Sequence, residues 1–323
     1  MRYQNIELLR FLAALAVVYF HAVGTLRAGG FSEIGSNPFT GLGAAGVDVF
    51  FVISGFVIFL SLTRKSRTPL EFARDRLIRL VPAYWILTVS HLVILASVAV
   101  LKGAEVPFDF SWTIQSLFFV SQPIGNSLPL ISQGWSLEIE MLFYLLVAVG
   151  LVIKNPVANI VFPALALVSL VGFGLLPDLA VEFIFGGLLG FLYTRIKFPA
   201  LISLGAGVLG IVLFIAPVLL GAVDAPRWVT WGIPSMLVVF SAINLPQLQW
   251  KLLPTLGAAS YPVYLLHMMV INIVSPITSA FGTSITFFFF ALASCLILSQ
   301  VLGIFFDKLV DKPISRFLKS RVK

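Results

Sequence analysis

Apolar runs of about twenty residues recur from one end of this chain to the other, and a run of roughly that length is what a helix needs to cross the hydrocarbon of a bilayer. The composition leaves little alternative. Only 11% of the 323 residues are charged, against roughly 25% in soluble proteins, while 59% are hydrophobic and the mean hydropathy is +1.03. No ordinary soluble surface can be assembled from this inventory, which excludes a soluble enzyme, a disordered chain and a secreted disulfide scaffold. The single cysteine, Cys295, lies inside an apolar run with no partner for a disulfide, so packing is its expected role and redox chemistry is not expected.

Breaks at charges, prolines and polar clusters predict an all-α, polytopic integral membrane protein of about ten transmembrane helices. The spans are 5–25, 45–63, 82–101, 135–153, 158–176, 180–195, 199–222, 228–245, 261–281 and 284–306. The stretch 111–121 is apolar but too short to cross and is expected at the interface. Basic residues decide the orientation. With the N-terminus inside, seventeen of the 21 Lys and Arg fall on inner segments: Arg2, six in 64–81, Lys154, Arg195, Lys197, Lys251 and six from Lys308 to Lys323. Only Arg27, Lys102 and Arg227 fall outside, and Arg10 lies within the first span. Both termini are therefore expected to be cytoplasmic, and the net charge of +7 reads as topology rather than as a nucleic-acid surface. A cleaved signal peptide is the alternative for the first span, but Ala14-Leu15-Ala16 comes too early and Arg10 interrupts the apolar region. Residues 1–323 are expected to form one membrane-embedded domain with no soluble C-terminal domain.

Ionisable groups within spans cost about 2.5–3.5 kcal/mol at a helix centre and are functional candidates by default. Here they are Glu7, Arg10, His21, Asp48, His91, Glu138, Glu140, Glu182 and His267. Arg10 and His21 are eleven residues apart, which places them on one helix face about 16 Å apart along the axis, His21 in the outer half of the bilayer. Asp48, Glu138 and Glu140 are expected at a similar depth to His21. A carboxylate beside an imidazole would orient the ring as a general base for a hydroxyl; the alternative is a structural pair between helices. In FARDRLIRLVPAYW, Arg74, Arg76 and Arg79 precede Pro82, a residue favoured in the first turn of a helix. Guanidinium groups beside such a terminus make a phosphate site, or else topology anchors with Tyr84 and Trp85 as an aromatic belt.

Five blocks then occur in order: RFLAALAVVYFH (Arg10 to His21), GVDVFFVISGF (Gly46 to Phe56), RDRLIRLVPAYW (Arg74 to Trp85), WSLEIEMLFYL (Trp135 to Leu145) and LGAASYPVYLLH (Leu256 to His267). Together they resemble the acyltransferase-3 family of polytopic membrane acyltransferases, which acylate bacterial exopolysaccharide, O-antigen, Nod factor and related glycans. The resemblance implies about ten helices in the bacterial inner membrane, cytoplasmic acyl-CoA (acetyl-CoA) as donor, a glycan or lipid-linked sugar as acceptor, and no metal. It implies His21 as the catalytic histidine, Arg10 as its partner in an R-x10-H pattern, Arg76 and Arg79 as the RxxR associated with CoA, Glu140 as the carboxylate of the WSLxxE block and Asp48 as the family aspartate. His267 matches the last block and is expected near the inner surface, with CoA or in packing. Glu138 stands where the family often has a small residue, which leaves open which glutamate faces His21.

An O-acyltransferase, with acetyl as the expected group, is the function these features favour. In it His21 deprotonates the sugar hydroxyl, or carries the acyl group itself; Glu140 or Asp48 supports the imidazole and Arg10 helps hold CoA. The runner-up is a transporter or flippase of a lipid-linked sugar, which would use the same charges as a path but often shows inverted repeats, none of which is visible here. A non-catalytic scaffold leaves the in-span charges unexplained. Membrane lipids are expected partners and nucleic acid is not; a homo-oligomer is left open. Outer loops 26–44 and 102–134 are expected to shape the acceptor entrance.

Overall fold

The computed structural model describes residues 3–31, 38–64, 67–105, 108–125, 127–155, 157–221 and 225–321. Arg2, Lys65, Lys323 and residues 32–37 of the first outer loop lie outside the described residues. The described chain is helical throughout: α1 (Gln4–Ala28), α2 (Gly46–Arg64), α3 (Pro69–Leu101), α4 (Phe110–Leu117), α5 (Ser121–Gly125), α6 (Trp135–Val152), α7 (Ala158–Gly172), α8 (Glu182–Arg195), α9 (Ala200–Leu220), α10 (Ile233–Asn244), α11 (Leu253–Phe281), α12 (Ile285–Phe306) and α13 (Lys312–Arg321). Each predicted span falls on a helix, and among the described residues seven helical segments are long and apolar enough to cross a membrane, with α7 and Trp228–Asn244 as shorter apolar helices. Large apolar side chains on α3, α7, α9 and α12 stand exposed, Leu201 at 80% and Phe290 at 64% among them. Lipid is the solvent such a surface fits.

Three expectations are corrected. The predicted span 82–101 is the second half of one 33-residue helix, so the RxxR segment is helix interior and not a loop ahead of a helix N-terminus. Thr68 accepts from the Glu71 N–H and Glu71 reaches back to the Thr68 N–H, a capping box that starts α3 at Pro69. Pro82 removes the bond that the Ile78 carbonyl would receive four residues back. Ser315 Oγ of α13 donates to that carbonyl at 3.3 Å, and Tyr261 Oη of α11 donates to Leu80 O at 2.8 Å. The carbonyl that proline frees is thus taken by a side chain from α13, and the Leu80 carbonyl gains a second donor from α11. Likewise α11 begins at Leu253, eight residues before the predicted span, and carries Pro262 inside it. The short stretch 111–121 contains α4, capped by Asp109 and tied to α3 by Tyr84 Oη to Ser116 O and Trp85 Nε1 to Leu117 O. Tyr84 is buried rather than part of an interfacial belt.

Between helices in lipid there is no water to expel, so association depends on close packing, which small residues allow. A Cβ on Gly46 would lie 2.4 Å from Ala13 O, one on Gly55 2.1 Å from Phe183 O, and one on Gly186 2.0 Å from Val52 O. These glycines press α2 against α1 on one side and α8 on the other. Phe183 stacks between Phe51 and Phe143 at centroid separations of 4.4 and 4.3 Å, locking α2, α6 and α8 together. Along α11, Gly257 meets Glu7, His267 meets His21 and Ser275 meets Gly29, so α1 and α11 run parallel.

Contacts gather the basic segments at one end. Arg64 donates to Tyr3 Oη at 2.8 Å, Tyr3 packs on Tyr193 two residues before Arg195, and Trp250 N, beside Lys251, donates to Gln4. Ser315 brings the basic α13 beneath α3.

Gly186→Ala is expected to lower the melting temperature of detergent-purified protein by an amount equivalent to about 1–3 kcal/mol, the usual scale of overpacking. Gly187→Ala, where a Cβ meets nothing within 4 Å, should leave it unchanged or raise it slightly. Equal melting temperatures for the two variants would mean that α2 and α8 are free to move apart.

Candidate active site

A cavity of about 470 Å³ opens at the basic end and is walled by α1, α2, α3, α6 and α11. Its lining along α2 runs from Val47 to Arg64, roughly 25 Å of helix. Five arginines face it, Arg10, Arg64, Arg67, Arg76 and Arg79, against the carboxylates of Glu7 and Glu140. Arg76 and Arg79, three residues apart, share one face of α3. Arg76 is buried, with its guanidinium over the rings of Phe72 (5.5 Å) and Tyr144 (5.9 Å), whereas Arg64 and Arg79 are exposed. Arg67 pairs with Asp75 at 2.6 Å and Arg10 with Glu7 at 3.8 Å. The surplus of guanidinium groups makes this a place for a polyanion, since fork-shaped donors match phosphate oxygens and act more strongly where water is scarce.

The two glutamates of α6 part company. Residues two apart on a helix point about 200° from one another. Glu138 turns to the chain before it, accepting from the N–H groups of Ser121 (2.9 Å) and Gln122 (3.0 Å) at the start of α5, where it orders the 121–125 segment. Glu140 turns into the cavity, where its Oε1 accepts from Ser54 Oγ at 2.6 Å and Tyr144 Oη at 2.5 Å.

Neither glutamate, nor Asp48, supports His21. Asp48 is fully buried and takes a two-point grip from Arg227, Nε to Oδ1 at 2.9 Å and Nη2 to Oδ2 at 2.7 Å. Arg227 also donates its backbone N–H to Asp178 at 2.6 Å and lies 4.5 Å from the Trp231 ring. Similar depth did not bring carboxylate and imidazole together, because a guanidinium from the segment before α10 answers Asp48 first. The partner of His21 is His267, fully buried on α11: its Nε2 lies 3.1 Å from His21 Nδ1, with ring centroids 5.0 Å apart. His267 therefore stands at the depth of His21 and not at the arginine end. Its Nδ1 donates to Tyr264 O at 2.7 Å.

Tyr264 joins the two places. Its ring lines the inner end of the cavity, its hydroxyl lies 2.7 Å from Ser136 Oγ and donates to Gln133 O at 3.1 Å, and its carbonyl holds His267. His21 and His267 are not themselves among the lining residues, so the cavity stops short of the imidazole pair. Arg10 lines the cavity with Tyr261 and Tyr264, and His21 lies farther along the same helix. Of the remaining candidates, Glu7 packs on Gly257 beside Arg10, Glu182 is buried next to Asp48, and His91 lines a small separate cavity with Met268 and Met269. Cys295 is buried in the core.

Sequence reasoning missed Ser54, Arg64, Arg67, Tyr144, Tyr261, Tyr264 and Arg227. Several carried a signal: Tyr144 stands four residues after Glu140, and Tyr261, Tyr264 and His267 repeat at helical spacing. Arg227 carried none, since its partner is 179 residues away.

Residues 3–304 match the family model described as an acyltransferase domain. The exopolysaccharide production protein ExoZ of Rhizobium meliloti (strain 1021) is 31% identical over 303 residues, covering 87% of this chain and 92% of that protein. No solved structure matches the chain. With the family model spanning nearly the whole sequence, and a relative of this identity aligned over most of both proteins, the chain belongs to the acyltransferase-3 family and is an acyltransferase.

Proposed function

We propose that this protein transfers an acyl group, acetyl in the first instance, from cytoplasmic acyl-CoA to a hydroxyl of exopolysaccharide or of its lipid-linked precursor. The observation that carries the reading is the arginine-walled cavity whose inner end, Tyr264, also holds the His21–His267 pair. The relative named for exopolysaccharide production supports the acceptor class. In this reading the chain is one membrane-embedded acyltransferase domain that crosses the bacterial inner membrane about ten times, with both termini and the arginine end in the cytoplasm, as the gathered basic segments favour.

Arg64, Arg67, Arg76, Arg79 and Arg10 would hold the phosphates of CoA, and the pantetheine arm would extend along α2 toward Ser136 and Tyr264. An acceptor hydroxyl approaches His21 from the opposite face. Its oxygen attacks the thioester carbonyl as His21 takes its proton; the new O–C bond forms, the C–S bond breaks, and the proton passes to the departing thiolate. An acyl group carried transiently on His21 gives the same balance in two steps. The acyl group crosses the membrane while CoA stays inside. Since the cavity ends before the imidazole pair, the arm has to part Tyr264 from Phe50, whose rings are 6.1 Å apart. Glu140, held by Ser54 and Tyr144, balances the cationic wall and is not the base. Asp48 and Arg227 brace α2 against the segment before α10.

His21→Ala should reach the membrane in normal amount and cut glycan acylation by about 10²–10⁴-fold, the scale of a lost general base; mass spectrometry of surface glycans showing wild-type modification would remove His21 from the mechanism. Arg76→Lys combined with Arg79→Lys should weaken acetyl-CoA binding by at least about tenfold, because an ammonium cannot reproduce the two-point fork. Unchanged affinity, measured by calorimetry on purified protein, would return these arginines to a topological role. Glu138→Gln, which loosens the carboxylate's hold on two N–H groups, should lower the melting temperature without altering acetyl-CoA affinity; a loss of affinity at unchanged melting temperature would make Glu138 a donor-site residue and not a brace.

A further inference from the structure

The structure assigns His267 the role of positioning residue for His21: it fixes which nitrogen of His21 is the base, an assignment that rests on the reading of His21 as the proton acceptor. A carbonyl oxygen can only accept a hydrogen bond. The 2.7 Å approach of His267 Nδ1 to Tyr264 O therefore places hydrogen on Nδ1 of His267 and leaves its Nε2 as a lone pair. The same rule holds at His21, whose Nδ1 lies 3.1 Å from Val17 O and so carries its own hydrogen. That hydrogen is shared between Val17 O and the lone pair of His267 Nε2, also 3.1 Å away. Two acceptors thus converge on one nitrogen of His21. Its Nε2 is left unprotonated and, among the described residues, unengaged by any hydrogen bond.

The arrangement does for His21 what a carboxylate does in other general-base sites, by different means. A carboxylate orients the ring and offsets the imidazolium charge; here the three carboxylates at similar depth are each committed elsewhere, Asp48 to Arg227, Glu138 to the α5 backbone and Glu140 to Ser54 and Tyr144. A neutral imidazole orients without adding a second buried charge. When His21 takes the proton of the acceptor, its Nδ1–H becomes a stronger donor, and His267 Nε2 is the acceptor in place. The polarisation passes through His267 Nδ1–H to the Tyr264 carbonyl. His267 is 0% exposed and packed between the rings of His21 and Tyr264, so its orientation is set by its surroundings. The sequence places it with the donor; the structure places it behind the base.

The test uses inverted membrane vesicles from the producing strain, which contain the endogenous acceptor. CoA thiol release is followed while acetyl-CoA is varied, with enzyme amount normalised by immunoblot, and acetyl-CoA affinity is measured on the same purified variants. His267→Leu keeps bulk and loses the acceptor, and it should lower the maximal rate by about 10²–10³-fold with the KM for acetyl-CoA within about twofold of wild type. His267→Gln, whose amide oxygen can stand where Nε2 stood, should recover to within about tenfold of wild type. A wild-type maximal rate in His267→Leu overturns the proposal. So does a loss confined to KM, which would make His267 a donor-binding residue, and so does loss of acetyl-CoA affinity in both variants, the mark of a merely structural side chain. Full activity in His21→Ala would instead remove the reading of His21 as the base, an outcome separate from all of these.

Discussion

Positive charge inside an apolar bundle is the constraint on which the rest of this structure depends. Five guanidinium groups around one cavity cannot be answered by the two carboxylates that share it, and unanswered charge in a low-dielectric setting is costly. The fold manages the excess by position. Arg64 and Arg79 stay accessible, Arg67 and Arg10 take the nearest acids, and Arg76 rests against the aromatic faces of Phe72 and Tyr144. What remains is a net positive wall around the cavity.

A cavity with such walls keeps its shape only if the helices around it cannot slide. Glycines on α2 and α8 bring backbones to within side-chain-free distance, and stacked phenylalanines fill the seam between α2, α6 and α8. Proline adds a second kind of joint. By freeing the Ile78 carbonyl it gives α13 a place to dock, between Arg76 and Arg79 in the chain, while Tyr261 of α11 takes the neighbouring Leu80 carbonyl. In lipid, where no water can satisfy a freed carbonyl, these side-chain bonds are obligatory. Pro82 inside α3 therefore ties the RxxR segment to α13, and the nearby Leu80 carbonyl ties it to α11.

The site was legible in part. Every residue placed on the donor side by resemblance except His267 lines the cavity: Arg10, Arg76 and Arg79 do so together. Glu140 lies there too, but bonded to hydroxyls and not to an imidazole. Asp48 and Glu138, expected at the depth of His21, proved to be braces, because depth is a property of one helix and contact is a property of two. His267 was read from its place in sequence as lying near the inner surface; since α11 starts eight residues early and runs parallel to α1, it reaches the level of His21 instead.

The sequence by itself determined that the chain lives in a bilayer, which stretches are apolar helix, which residues are too polar for their surroundings and which family they belong to. Those follow from composition, span length and local spacing, which are readable along one dimension. Only the tertiary structure decided the pairings: Arg227 with Asp48, Ser315 with the carbonyl that Pro82 frees, and His267 with His21, across separations of 179, 237 and 246 residues. An in-span polar group must find a partner somewhere in the bundle. Which one it finds is fixed by how the glycine-lined helices pack, and no pattern local to either residue records that choice.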